Sequence, residues 1–176
     1  ETPGVCVGVI RAFVDAGLPV GVLNMVFGEP SMVSERLIAS PIIRKVSFTG
    51  SVPVGCLLNT LAAKQLKPAT MELGGHSPVI VFDDVDVKAV ARACAGFKYR
   101  NAGQVCVSAS RFFVHQSIYE EFTRYFVEFA NAIKVGNGLE NGVSMGPLAN
   151  ARRLEAALDL IADAKSRGAT VAAGGE

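Results

Sequence analysis

Short apolar runs alternate with helix-length amphipathic segments along most of this 176-residue chain, and that alternation restricts the fold more than any single residue does. Lys45-Val46-Ser47-Phe48-Thr49 and Thr70-Met71-Glu72-Leu73 read as strands, and Val54 to Lys64 between them reads as a helix. A strand, a helix and a second strand in succession form the pattern of a parallel sheet covered by helices. Upstream, Thr2-Pro3 opens a helix from Val5 to Ala16 that Gly17 stops, Val22-Leu23-Asn24-Met25-Val26 reads as a short buried strand, and Ser31 to Ala39 as a further helix. A new unit is expected after Gly74-Gly75: a strand at Pro78 to Phe82, a helix at Asp86 to Tyr99, a strand at Ser110 to Val114 and a helix at Ser117 to Ile133. A long loop at Gly136 to Pro147, a helix at Ala151 to Arg167 and a strand at Ala169 to Ala172 follow. The expected class is α/β, in two domains of residues 1–73 and 74–176, without repeats or low-complexity tracts.

Composition narrows the partners. Half the residues are hydrophobic, enough for a core, while the net charge is only +1 and the 17 basic residues are scattered, which excludes nucleic acid as the expected ligand. No apolar run reaches bilayer length, and Glu1-Thr2-Pro3 is not a signal-peptide start, so no membrane association is expected. Cys6, Cys56, Cys94 and Cys106 are far apart, with no Cys-x-x-Cys pair and only His76 and His115 beside them. Reduced thiols, a cytoplasmic location and no metal site are the expectation.

Four places carry chemistry. Cys106 sits in Asn101-Ala102-Gly103-Gln104-Val105-Cys106-Val107, a loop of glycine and small polar residues from which a thiol can reach solvent and substrate. From position alone a cysteine is more often a small buried hydrophobe, and that is the reading for Cys6, Cys56 and Cys94 in their helices. Glu72 ends an apolar strand before two glycines, so its carboxylate is expected to be partly buried, with a pKa raised towards neutrality that suits a proton acceptor. The alternative is a salt-bridged or exposed carboxylate. Gly50-Ser51 closes a strand and opens a helix, where backbone N–H groups and the helix dipole can hold a phosphate. The fingerprint Gly-x-Gly-x-x-Gly is absent, however, and a plain strand-to-helix turn fits as well. Arg100 leads directly into the cysteine loop, placed either to pair bidentately with a substrate carboxylate or to lie solvated on the surface.

Phe48-Thr49-Gly50-Ser51, Met71-Glu72-Leu73-Gly74-Gly75-His76-Ser77-Pro78 and Asn101-Ala102-Gly103-Gln104-Val105-Cys106, in that order and spacing, resemble the aldehyde dehydrogenase superfamily. The resemblance extends through Val81-Phe82-Asp83-Asp84-Val85-Asp86 to Met145-Gly146-Pro147-Leu148 and matches an internal stretch of somewhat over a third of a member. It implies the second half of a doubly wound cofactor domain followed by the first part of an α/β catalytic domain. It also implies NAD or NADP as cofactor, a small aldehyde as substrate and a homo-oligomeric parent. Residue by residue, it carries Cys106 over as nucleophile and Glu72 as general base for thioester hydrolysis. Gly28, Phe48, Gly50, Ser51, Leu73 and Gly74 fall at its cofactor-contacting positions, with Ser51 near the diphosphate.

The local string Lys98-Tyr99-Arg100-Asn101-Ala102-Gly103-Gln104 is similar to that of succinate-semialdehyde dehydrogenases, where the arginine binds the substrate carboxylate. Ser108 stands where some of those enzymes carry a second cysteine, so a Cys106 disulfide switch of that kind is not expected. His76 replaces a common lysine and is read as structural. Two alternatives stay open: a CoA-acylating semialdehyde dehydrogenase, which Glu72 disfavours because that branch generally lacks it, and a non-catalytic piece of the fold. The family's upstream asparagine and lysine and its downstream glutamate fall outside this stretch, so the stretch alone is expected to be inactive.

Overall fold

The computed structural model describes residues 3–175. The chain is α/β and separates into two compact units, one ending at Leu73 and the other beginning at Gly74.

The first unit comprises α1 (Pro3–Asp15), α2 (Pro30–Ala39), β1 (Val46–Gly50), α3 (Val52–Ala63) and β2 (Ala69–Leu73). β1 and β2 pair in parallel, Val46 opposite Ala69 and Gly50 opposite Leu73, with α3 as the crossover. Strand alternation divides the ladder into two faces. Val46, Phe48, Met71 and Leu73 are half-buried, whereas Ser47, Thr49, Thr70 and Glu72 are exposed. α3 packs on the first face and turns Gly55, Leu58 and Ala62 inward. Gly55 is required there: a Cβ would stand 2.6 Å from Leu73 Cδ2. Lys67 secures the end of α2 by donating from Nζ to the carbonyls of Ile38 and Ser40, groups that a helix terminus otherwise leaves unpaired.

The strand expected at residues 22–26 does not form. Val22, Leu23, Met25 and Val26 are exposed in an irregular segment, because a strand exists only as half of a ladder and no described segment pairs with this one. The strand expected at 169–172 is irregular for the same reason. Cys6 and Cys56, expected to pack as hydrophobes, are exposed. α1 buries no residue, and Cys56 follows the inward-facing Gly55 by a single position, about 100° around the helix.

The second unit comprises β3 (Val79–Val81), α4 (Val87–Tyr99), β4 (Phe112–Val114), α5 (Tyr119–Asn131) and α6 (Ala151–Ser166). β3 and β4 pair in parallel, Val79 opposite Phe112 and Val81 opposite Val114. α4 starts at Asp86, whose Oδ1 accepts from the Ala89 N–H at 3.0 Å. Ala91 and Ala95 are small and buried on one stripe of α4, which lets α5 approach closely. The core is Val81, Ala91 and Phe122, surrounded by Val79, Phe112, Phe126 and Tyr125. Phe112, Phe122 and Phe126 form a cluster of tilted and edge-on rings with centroids 5.2 to 6.3 Å apart.

Candidate active site

Cys106 lies where the chain passes from α4 to β4, in the loop of a parallel crossover. α4 ends at Tyr99, and Arg100–Gly103 form a tight turn with positive φ at Asn101 (53°), Ala102 (55°) and Gly103 (75°). L-residues disfavour that region by about 1–2 kcal/mol each, so the turn persists only because its surroundings hold it. The Asn101 side chain donates to the Gln104 carbonyl at 3.1 Å, and Gln104 returns a bond from Nε2 to the Asn101 carbonyl, also at 3.1 Å. A second turn follows, closed by the Ser108 N–H on the Val105 carbonyl at 2.9 Å. Cys106 and Val107 stand exposed at its apex, while Ser108 and Ala109 immediately after are buried.

The thiols therefore differ in kind. Cys106 is exposed in a hydrogen-bonded turn, whereas Cys94 lies within α4 against the core, and burial pushes its thiol pKa up. A thiol raised in that way stays protonated and unreactive at neutral pH. Arg100 caps α4, exposed, and makes no ion pair among the described residues, leaving its guanidinium open to an anion. Arg100 and Cys106 thus belong to one continuous loop.

Glu72 is exposed, which corrects the expectation of partial burial. The physical reason is the strand period: Met71 and Leu73 take the face against α3, and Glu72, opposite Thr49, takes the other.

Of the cofactor positions, Gly28 and Phe48 line one cleft of about 520 Å³ in the first unit, with Pro30, Val33, Leu37 and Leu58. Its walls are mainly apolar. A Cβ at Gly28 would come within 3.0 Å of Val33 Cγ2, and one at Gly50 would overlap the Phe48 ring. Gly50 ends β1 and Ser51 is the N-cap of α3, with its hydroxyl not engaged in capping and Pro53 in the first turn. Leu73 ends β2 against Gly55, and Gly74 follows with open space around its Cα. An apolar cleft sharing Phe48 with the strand that leads into a helix N-terminus suits a ligand with a flat ring and an anionic group, and these residues fit a dinucleotide.

The sequence reading passed over the function of Gln104 and Ser108, naming one only within a motif and the other only as a departure. The signal was available: carboxamide and hydroxyl residues flanking a glycine in a loop are the groups that tie turns to neighbouring backbone. Among the described residues no helix is long and apolar enough to cross a membrane, and no group of three or more His, Cys, Asp or Glu could hold a metal ion.

The aldehyde dehydrogenase family model matches residues 1–176. The chain is 46% identical over 169 residues to a 4-(hydroxymethyl)benzenesulfonate dehydrogenase of Comamonas testosteroni, covering 96% of this chain and 35% of that protein. It is 38% identical to the NADP(+) succinate-semialdehyde dehydrogenase of Escherichia coli K12, covering 100% of this chain and 36% of the relative. The solved succinate-semialdehyde dehydrogenase of Burkholderia pseudomallei superposes with a TM-score of 0.96 at 41% identity, over 99% of this chain and 36% of that structure. The chain thus spans about a third of the length of these relatives. With parallel ladders, the Cys106 turn and the whole length matched, the chain belongs to the aldehyde dehydrogenase family.

Proposed function

We propose that the full-length protein carrying this chain oxidises a small aldehyde with an anionic far end, such as succinate semialdehyde, to the corresponding acid. The observation that carries this reading is the exposed Cys106 at the apex of a hydrogen-bonded turn that follows, in the same loop, from Arg100, which makes no ion pair among the described residues. In this reading the Cys106 thiolate adds to the aldehyde carbon, and the resulting oxyanion is stabilised by backbone N–H donors, that of Cys106 among them. A bound NAD or NADP would supply the hydride acceptor that allows the adduct to become a thioester. Gly28, Phe48, Gly50, Ser51, Leu73 and Gly74 would hold it, the cleft walls taking a ring and Ser51 with the start of α3 taking phosphate. Glu72 then takes a proton from water, the water oxygen adds to the thioester carbonyl, and the acid leaves as the Cys106 thiol is restored. Residues 1–73 act as part of the cofactor domain and residues 74–176 as part of the catalytic domain. A homo-oligomeric, cytoplasmic parent goes with the same reading.

A guanidinium reads the oxygens of a carboxylate or a sulfonate with the same two-pronged geometry. The 46% identity to an enzyme named for a benzenesulfonate substrate favours a second reading in which that far group is a sulfonate.

The test is NAD(P)+ reduction by the full-length protein with succinate semialdehyde, 4-formylbenzenesulfonate and a neutral aldehyde, in wild type, Cys106→Ser and Arg100→Ala. Turnover should vanish in Cys106→Ser, and the preference for one of the acidic aldehydes should collapse in Arg100→Ala. Equal rates with all three aldehydes, unchanged by Arg100→Ala, would sink the anion-binding assignment.

A further inference from the structure

We propose that Gln104 is a positioning residue for Cys106, clamping the nucleophile's turn to the segment that opens α6; this deepens, and rests on, the reading of Cys106 as the nucleophile. Both ends of the Gln104 carboxamide are engaged. Nε2 donates to the Asn101 carbonyl at 3.1 Å, and Oε1 accepts from the Ala149 N–H at 2.8 Å, a contact between residues 45 apart in the chain. The carboxamide is planar and has its donor and acceptor on opposite prongs. Turning it over would set NH2 against the Ala149 N–H and oxygen against the Asn101 carbonyl, so only one orientation satisfies both partners. Ala149 in turn is fixed by its neighbour: Asn150 caps α6 by accepting from the Arg153 N–H at 3.1 Å.

The anchor therefore runs from the end of a helix to a turn that cannot hold itself. Asn101, Ala102 and Gly103 are all left-handed, and the bonds opposing their relaxation converge on the Asn101 carbonyl, which accepts from both the backbone N–H and the side chain of Gln104. Downstream, Ser108 Oγ donates to the Lys98 carbonyl at 3.2 Å. Cys106 is exposed between these two ties, without a hydrogen bond of its own among the described residues yet carried on backbone tied at both sides. A nucleophile that must meet a carbonyl carbon at a defined distance and angle gains most from such backbone restraint.

In the full-length protein, Gln104→Met preserves the length of the side chain and removes both bonds, and Ala149→Pro removes the same N–H from the far end. Amide hydrogen exchange in peptides spanning 101–108 and 147–150 reports the clamp without reference to turnover. Exchange should quicken in the 101–108 peptide of both variants and in the 147–150 peptide of Gln104→Met, with kcat down by about ten- to a hundredfold in both. The aldehyde KM should stay within about threefold of wild type, because positioning acts on the chemical step rather than on uniform binding. Wild-type kcat in both variants, with only the 147–150 peptide loosened, would mean that Gln104 merely fastens that loop and would overturn the proposal. Cys106→Ser separates the underlying reading: lost turnover with unchanged exchange upholds the nucleophile, whereas retained turnover removes it and the clamp's purpose together.

Discussion

The Ser108 hydroxyl donates to the Lys98 carbonyl at 3.2 Å with Ser108 only 5% exposed, which fastens the residue two beyond Cys106 to the last turn of α4. Lys98 contributes one of the carbonyls that a helix C-terminus leaves without an intrahelical partner. Ser108→Ala would strand that carbonyl, and a loss of about 1–3 kcal/mol is expected in urea unfolding of the full-length protein.

Gly55 faces Leu73 across the α3–β2 contact. In an exposed helix Gly→Ala gains about 1 kcal/mol, but here the new Cβ would lie 2.6 Å from Leu73 Cδ2. Gly55→Ala is therefore expected to destabilise by about 1–3 kcal/mol through overpacking. Leu73→Ala in the same chain should relieve part of that cost, so a double-mutant cycle should show coupling; simple additivity would refute the contact.

Phe122 is 4% exposed and packs its ring against Phe112 and Phe126 at the centre of the second unit. Phe122→Ala should cost about 3–5 kcal/mol, whereas Phe122→Leu should recover most of it. Comparing the unfolding midpoints of the two variants checks that the ring's volume, rather than its position on α5, is what matters.

Burial raises the pKa of Cys94 above its ordinary 9.0 and that of Tyr99 above its ordinary 10.0. Both groups ionise first in the unfolded chain, so above pH 9 the unfolded state binds fewer protons and stability falls as pH rises. Below that pH the contribution is complete. Melting midpoints measured upward from pH 8 should decline, and Cys94→Ala with Tyr99→Phe should flatten the decline. At pH 8 iodoacetamide should label Cys6, Cys56 and Cys106 well before Cys94; prompt labelling of Cys94 would contradict its packing.

Legibility in the sequence followed the range of the interaction. α4, α5 and α6 were readable because period, N-cap and apolar stripe are local properties, as Asp86 and Asn150 illustrate. β1 and β2 were readable because each apolar run finds a partner within the chain. Val22 to Val26 carries the same composition but no described partner, and composition alone does not make a ladder. Glu72 was misjudged from its apolar neighbours, since alternation along β2 sends it to the face opposite theirs. At the candidate site, glycine and cysteine spacing marked the loop. The tie from Gln104 to Ala149 could not be read, because it joins residues that only the folded chain brings together.

The parallel register of Val79 with Phe112 has a kinetic side. α4 and the whole Cys106 turn lie inside the chain segment that this pairing must close, and closure precedes the contacts that reward it. The end of the turn that leads into β4 is therefore expected to settle as β4 docks on β3. During refolding, protection of the Gln104 and Ser108 amides should appear with the slow phase of strand docking rather than with the earlier formation of α4. Until that moment a nascent chain would carry Cys106 on backbone that the Ser108 tie has not yet fixed.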